Sequence, residues 1–209
     1  MKKLLLAAVA AALMPVPAMA QDADAYDSED AAPVAHDGLR IEGRVLFERI
    51  NDPDEAAGIN YELGSGVAFG GEIGYDIAVS DTIAIGPFAS YEASSVEECD
   101  LGVCVSSDGY FVVGLHAGFA SGTDSQFYAK AGYSQQTIAV EGTFNDPVFG
   151  QVVLDESETG GGYQFAFGYE KGFGSNAYGR IELGIGENYD LYGFDFKRVS
   201  GGVGVGVRF

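Results

Sequence analysis

The chain has 209 residues, and 31 acids against 11 Lys and Arg give it a formal charge of −20 at pH 7. A surface that acidic repels nucleic acid, which excludes a nucleic-acid partner. After the first 20 residues no apolar run approaches the ~20 residues of a spanning helix, which excludes an α-helical membrane protein but not a barrel, whose strands need only ~9–11.

Met1-Lys2-Lys3, the apolar run Leu4 to Met14 and Ala18-Met19-Ala20 form a basic start, a short apolar core and a small-x-small site. They predict a secretory signal cut after Ala20. Losing Lys2 and Lys3 with no acid moves the charge from −20 to −22. The remainder is of a size for one domain. Residues 21–38 are rich in Ala and acids, carry Pro33 and lack periodicity, so a mobile acidic arm is expected, with His36 a solvated residue in it.

From Leu39 the pattern is alternation. In a strand successive side chains take opposite faces, so period-two sequence separates two surfaces. Leu39 to Phe47 sets Ile41, Gly43, Val45 and Phe47 against Arg40, Glu42, Arg44 and Leu46. A polar loop then runs from Asn51 to about Ser65. Gly66 to Ala78 sets Phe69, Ile73, Tyr75 and Ile77 against Gly70, Glu72, Gly74 and Asp76. Thr82 to Ala93 follows a tight turn at Ser80-Asp81. Pro87 within it cannot donate to a ladder and predicts a bulge or local break.

Ser94 to Gly109 reads as a longer loop holding Cys99 and Cys104. In an exported chain so close a pair favours a loop-closing disulfide. Metal binding is the lesser reading, since no His lies nearby. Tyr110 to Ala120 is the fourth strand, and a fifth starts near Ser125 with Lys130 inward. Ile138 to Gly161 alternates weakly and reads as the longest loop, with a possible hairpin of its own about Asn145-Asp146-Pro147. Gly162 to Lys171 and Ala177 to Gly186 are the sixth and seventh strands. Glu187 to Phe196 is the last loop and Lys197 to Phe209 the eighth strand.

The long connections follow strands one, three, five and seven, and the short ones follow two, four and six. A soluble sandwich has no reason for that order. A membrane barrel, with short turns at one end and long loops at the other, has one. Tyr75, Phe119, Phe127, Tyr169 and Phe209 fall at one rim, Tyr91 and Tyr163 at the other, as two interfacial girdles would. The fold class is therefore all-β, a transmembrane up-and-down antiparallel barrel of about eight strands over residues 39–209. The 31 glycines suit an interior that must fit its own side chains.

The last strand, Gly202-Val203-Gly204-Val205-Gly206-Val207-Arg208-Phe209, gives the pattern its clearest form. The chain here resembles the small outer-membrane β-barrels of the OmpA/OmpX and opacity-protein type. The resemblance covers nearly all of 39–209 and rests on architecture. It implies location in the outer membrane of a Gram-negative cell, contact with outer-membrane lipid and lipopolysaccharide, and recognition by the barrel assembly machinery through the C-terminal strand. Gly204, Val207 and Phe209 match that assembly signal, whereas Gly202 stands where a polar residue is usual.

Ten charges have inward parity: Arg40, Arg44, Lys130, Arg180 and Arg208, with Glu42, Glu72, Asp76, Glu170 and Glu182. Eight strands leave a bore just wide enough for side chains, and a buried charge must pair or hydrate. A plug of ion pairs is expected, with Arg208 near Glu42 or its neighbours. A selectivity constriction is the alternative. Some small barrels modify lipid through a His–Ser pair, but two residues beyond His116 lies Gly118, and His116 faces inward. No nucleophile–base pair assembles, and no cofactor is called for.

The acids of the loops (Asp52, Asp54 and Glu55; Glu97, Glu98 and Asp100) are solvated groups or divalent-cation ligands without EF-hand spacing. Tyr189, Tyr192, Phe194 and Phe196 are a contact surface for a host or neighbouring cell, or part of the upper girdle. The leading expectation is a structural or surface-interaction protein without a catalytic site. A porin-like channel for ions or small solutes comes second and a lipid-modifying enzyme third.

Overall fold

A computed structural model describes residues 34–54, 59–100, 102–146 and 150–209. The expected leader and residues 21–33 of the acidic arm lie outside them. Alternation becomes strand throughout: β1 (Gly38–Asp54), β2 (Ile59–Ala78), β3 (Ile83–Ser94), β4 (Glu97–Asp100), β5 (Val103–Ala120), β6 (Ser125–Asp146), β7 (Gly150–Phe173), β8 (Ala177–Leu191) and β9 (Phe194–Arg208). All pair antiparallel, in the order β3-β2-β1-β9-β8-β7-β6-β5-β4, and a β3–β5 pairing closes the ring. Eight strands are staves, and β4 is a short flap on the outer end of β5.

Closure joins the two ends of the barrel sequence. Arg40 lies opposite Arg208. Leu39 N–H donates to Phe209 O at 3.1 Å, and Phe209 N–H to Leu39 O at 3.0 Å. The outward row Val203, Val205 and Val207 meets Val45, Gly43 and Ile41 across the seam. The inward glycines are there for room. A Cβ on Gly204 would lie 2.6 Å from Glu42 Oε1, and one on Gly206 2.5 Å from Tyr178. Large charged and phenolic side chains on β1 and β8 occupy the volume that β9 leaves open.

The stretches expected as long loops are mostly strand. β1 runs to Asp54, β2 starts at Ile59, and β6 and β7 have 22 and 24 residues, about twice what a crossing needs. They pair continuously from Ser125–Lys171 to Asp146–Gly150. The Ile138–Gly161 "loop" is this hairpin, in which Asn145 and Asp146 of the expected turn are still paired strand, while Pro147 lies outside the described residues. The Ser94–Gly109 stretch is the β4–β5 hairpin, in which Cys99 faces Cys104 and the two are bonded. Above Gly162, β7 is hydrogen-bonded to β6 on one side, while its ladder with β8 starts at Gly162–Asn188.

Pro87 breaks one ladder without a bulge. β3 pairs with β5 straight through Pro87–Leu115. On the β2 side the ladder runs Gly74–Phe88 and resumes at Ile77–Ile85 in the same register. One missing donor interrupts two positions and shifts nothing.

His36 is not a solvated residue. Val34 N–H donates to Gly122 O and Ala35 N–H to Asp81 O, so residues 34–37 cross the inner mouth of the barrel between two turns. The His36 ring lies 3.3 Å from Thr123 O and 3.8 Å from Glu170, and Arg208 donates to its carbonyl at 2.8 Å.

Candidate functional site: the bore and the outer end

The outward wall between the rims is apolar, with Ile73, Leu115, Phe167, Leu183 and Val205 among its exposed side chains. Phe127 and Tyr169 pack their rings at a tilt, 5.2 Å apart, at the inner rim, and Tyr163 lies opposite Tyr133 at the outer one. Inward parity then decides what fills the bore.

All ten charges named from parity point inward. At the inner end Arg208 donates to Asp76 at 2.9 Å and to Glu170 at 2.8 Å. Arg208 stands opposite Arg40, the inward neighbour of Glu42 on β1, as expected of the closure, while Glu42 itself is held by Arg180 at 2.7 Å. Strand tilt carries the long Arg208 side chain past its β1 neighbours to β2 and β7. Asp76 also takes Arg40 at 2.6 Å and lies 3.0 Å from His116 Nδ1. In the middle, Glu72 receives Arg40 at 2.9 Å, Arg44 and Lys130 at 2.7 Å each and Arg180 at 3.3 Å. Glu182 takes Arg44, Lys130 at 2.5 Å and the Tyr128 hydroxyl at 2.9 Å. Arg180 also reaches Glu170 at 3.0 Å. Multiple partners for each ion are what make such burial tolerable.

A third tier was missed from sequence. Arg198 donates to Glu48 at 2.5 Å and Glu92 at 2.6 Å, stacks 4.1 Å over the Tyr110 ring, and Ser94 donates to Glu48. All three charges had inward parity. Glu92 and Arg198 stand one residue inside the ends assigned to their strands and Glu48 one residue past its own, continuing the inward face, yet none of the three was counted among the interior charges.

Above this tier the bore turns apolar. Ile50, Leu63, Val96, Ile138, Leu191 and Phe196 form one buried cluster, with Val105 packed against it. These come from five strands and the β3–β4 connection, all within stretches expected as loops or at their edges. Phe196 is thus part of an internal cap. Phe194 stacks on Tyr61 at 5.4 Å beside it. Neither belongs to a lipid girdle, whereas Tyr189 packs against Tyr163 at 6.3 Å and extends the outer one.

The β8–β9 turn is strained and acid-braced. Asp190 and Tyr192 adopt φ of 57° and 53°, unusual for such residues. Tyr192 N–H donates to Glu158 at 2.6 Å, and Asp190 N–H to Asp195 at 3.1 Å. Partial burial, with the carboxylates of Glu156 and Glu158, pushes the Tyr192 phenol above its ordinary range. At the β4–β5 hairpin Glu97, Cys99 and Cys104 come close enough for one ion, but the sulfurs are bonded to each other and supply no thiolate. Asp52 accepts the Asp195 N–H at 3.3 Å, and Glu55 lies outside the described residues.

His116 is fully buried, with Asp76 on Nδ1 and the Tyr128 ring 5.2 Å away. It sits among the charged tiers, opposite Lys130 across the β5–β6 ladder, with the contacts of an interior packing group.

A closed antiparallel ring with an apolar wall, aromatic rims and an ion-paired interior has the fold of the small outer-membrane β-barrels. Ail, the attachment invasion locus protein of Yersinia pestis, superposes with a TM-score of 0.53 at 13% identity, covering 83% of this chain and 99% of Ail. Its complex with the heparin analogue sucrose octasulfate gives 0.56 at 15%, with the same coverage. Neisserial surface protein A gives 0.52 at 15%, over 82% of this chain and 97% of its own. No family model and no curated protein matches the sequence. The likeness is one of fold.

Proposed function

We propose that this chain is an outer-membrane barrel with a closed bore, whose role is structural and surface-interacting rather than conductive or catalytic. The observation that carries the reading is the double closure of the bore. Charged tiers centred on Glu72 fill the membrane section, and the six-residue apolar cluster fills the section above. An ion would have to part paired charges and then cross a dry constriction. The strand extensions leave the β8–β9 turn, with Tyr61 and Phe194 stacked beside it, as an aromatic contact surface at the outer end, flanked by the longer β6–β7 hairpin.

That end is acidic, bearing Glu97, Glu98, Asp155, Glu156, Asp190 and Asp195. The polyanion bound by Ail is therefore a poor ligand for this chain, and a basic partner surface suits it better. Export through the leader ending at Ala20, and assembly through Gly204, Val207 and Phe209, belong to the same proposal. Phe209 supports it by closing the seam on Leu39. Deleting Phe209 is expected to lower the folded amount in the outer membrane, and undiminished assembly would contradict the assembly role.

The reading is tested by single-channel recording of the refolded barrel in a planar bilayer. Silence from protein shown to be inserted is the expected result. Steady, reproducible current steps would overturn the closed-bore reading and put the channel first.

A further inference from the structure

Positive charge is scarce on this molecule, and its placement is uneven. Apart from Lys2 and Lys3, every Lys and Arg lies among the described residues. Six of them, Arg40, Arg44, Lys130, Arg180, Arg198 and Arg208, point into the bore. Lys171 pairs with Asp124 at an inner turn. Two remain, Arg49 and Lys197, and they are neighbours. β1 and β9 set Asn51 opposite Lys197 and Arg49 opposite Val199. Ile50 and Arg198, the ladder pair between them, point inward and are buried, which turns Arg49 and Lys197 outward.

Their height is as specific as their position. Phe47 on β1 and Val199 on β9 are the last outward apolar residues before the inversion, and the two cations stand one outward step above them. That is the level of the lipid headgroups. Directly below is a groove of about 570 Å³ lined by Phe47, Arg49, Asn51, Leu183, Val199 and Gly201. Gly201 makes it. It lies opposite Phe47 on one side and Leu183 on the other, and presents no side chain between them.

We propose that this flank binds a phosphorylated lipid of the outer leaflet, with an acyl chain in the groove and a headgroup phosphate on Arg49 and Lys197. The proposal rests on the outer-membrane reading above. Charge complementarity selects the occupant, because the external end is otherwise acidic and repels an anion everywhere else. Arg49 holds the Glu62 carboxylate at 2.7 Å, but both side chains are about half exposed, and such pairs contribute little. A phosphate offers the same guanidinium a forked acceptor of higher charge. Lys197 has no ion pair among the described residues. The Glu187 opposite it accepts the Tyr163 hydroxyl at 2.8 Å.

The test is native mass spectrometry of the refolded full barrel, extracted from vesicles containing lipid A or its dephosphorylated form. One retained lipid A per barrel is expected, with retention of the dephosphorylated form about tenfold lower. An Arg49→Ala, Lys197→Ala double variant should lose about tenfold, and Arg49→Lys should keep most binding. Glu62→Gln, which removes the competing carboxylate, should raise it. Gly201→Leu should weaken binding by filling the groove. Heat-dependent gel migration checks that each variant is folded. Equal retention of both lipids, an unchanged double variant, or a dimer seated on this face without lipid would overturn the proposal. Failure of the wild-type barrel to insert would overturn the outer-membrane reading with it. Insertion without phosphate preference would overturn this inference alone.

Discussion

β1 changes character along its length. From Arg40 to Glu48 its inward side chains are mostly charged and its outward ones apolar; from Arg49 onward the outward ones are polar and the inward Ile50 is apolar. β6 and β9 do the same, Lys130 giving way to Ile138 and Arg198 to Phe196. The lower barrel is built for a hydrocarbon surround, so its polar groups turn inward and neutralise one another. The upper extension is built as a soluble protein, with its apolar groups inside. One continuous sheet serves both because a strand's two faces are independent, and only the solvent outside has changed. The level of inversion marks where lipid ends.

That contrast can be broken from either side. The largest effect is expected at Glu72, the carboxylate shared by Arg40, Arg44, Lys130 and Arg180. Glu72→Gln leaves buried cations short of an anion and should cost about 3–5 kcal/mol, read by urea unfolding in lipid vesicles. On the wall, Leu115→Arg should cost about 2–4 kcal/mol, since a charge there meets hydrocarbon. The same change at exposed Val153, in the extension, should fall within about 0.5 kcal/mol of zero. Equal costs at the two sites would abolish the distinction between the regions.

Smaller effects sharpen it. Leu63→Ala opens the apolar cap and should cost about 2–3 kcal/mol, seen as protease cleavage of the extension while the membrane section stays intact. Opening the Cys99–Cys104 bond should cost about 2 kcal/mol for so short a loop, with hydrogen exchange rising only around β4 and the start of β5. Least affected should be Lys171→Ala. The hydrogen bond and charge of Lys171 hold the exposed Asp124 carboxyl below its ordinary range. A lowered folded-state pKa favours the fold above the ordinary carboxylate range, and that contribution fades as acid protonates Asp124. The variant and the parent should therefore converge at low pH and differ barely at neutral pH.

The lower barrel was legible because its outward apolar row has period two over eight strands, and parity alone then names the inward charges. The partners were not legible. Arg208 reaching Asp76 and Glu170 depends on how far strand tilt carries a long side chain. Glu48, Glu92 and Arg198 had the right parity and stood within one residue of the assigned strand ends, at the margin of the outward apolar row, and were left out of the interior set. The extension was misread as loops for the same reason. Its alternation continues, inverted, and mixed polar outward residues such as Asn51, Glu141 and Thr143 look like loop composition when lipid-facing apolar residues are the signal sought. The placement of His36 had no sequence signal, because backbone donors of Val34 and Ala35 to two turns fix it.

The one-sided pairing of β7 above Gly162 has a consequence for crowding. Gly150 to Gly161 is a sheet margin, tied to β8 near its base by the Asn188 amide donating to Gly160 O at 3.2 Å, and it could template the same margin of a neighbouring copy. Asp155, Glu156 and Glu158 lie along it, so two copies approaching edge to edge bring like charges into register. On the outer-membrane reading, the acidity of this margin opposes edge-to-edge pairing between neighbouring copies.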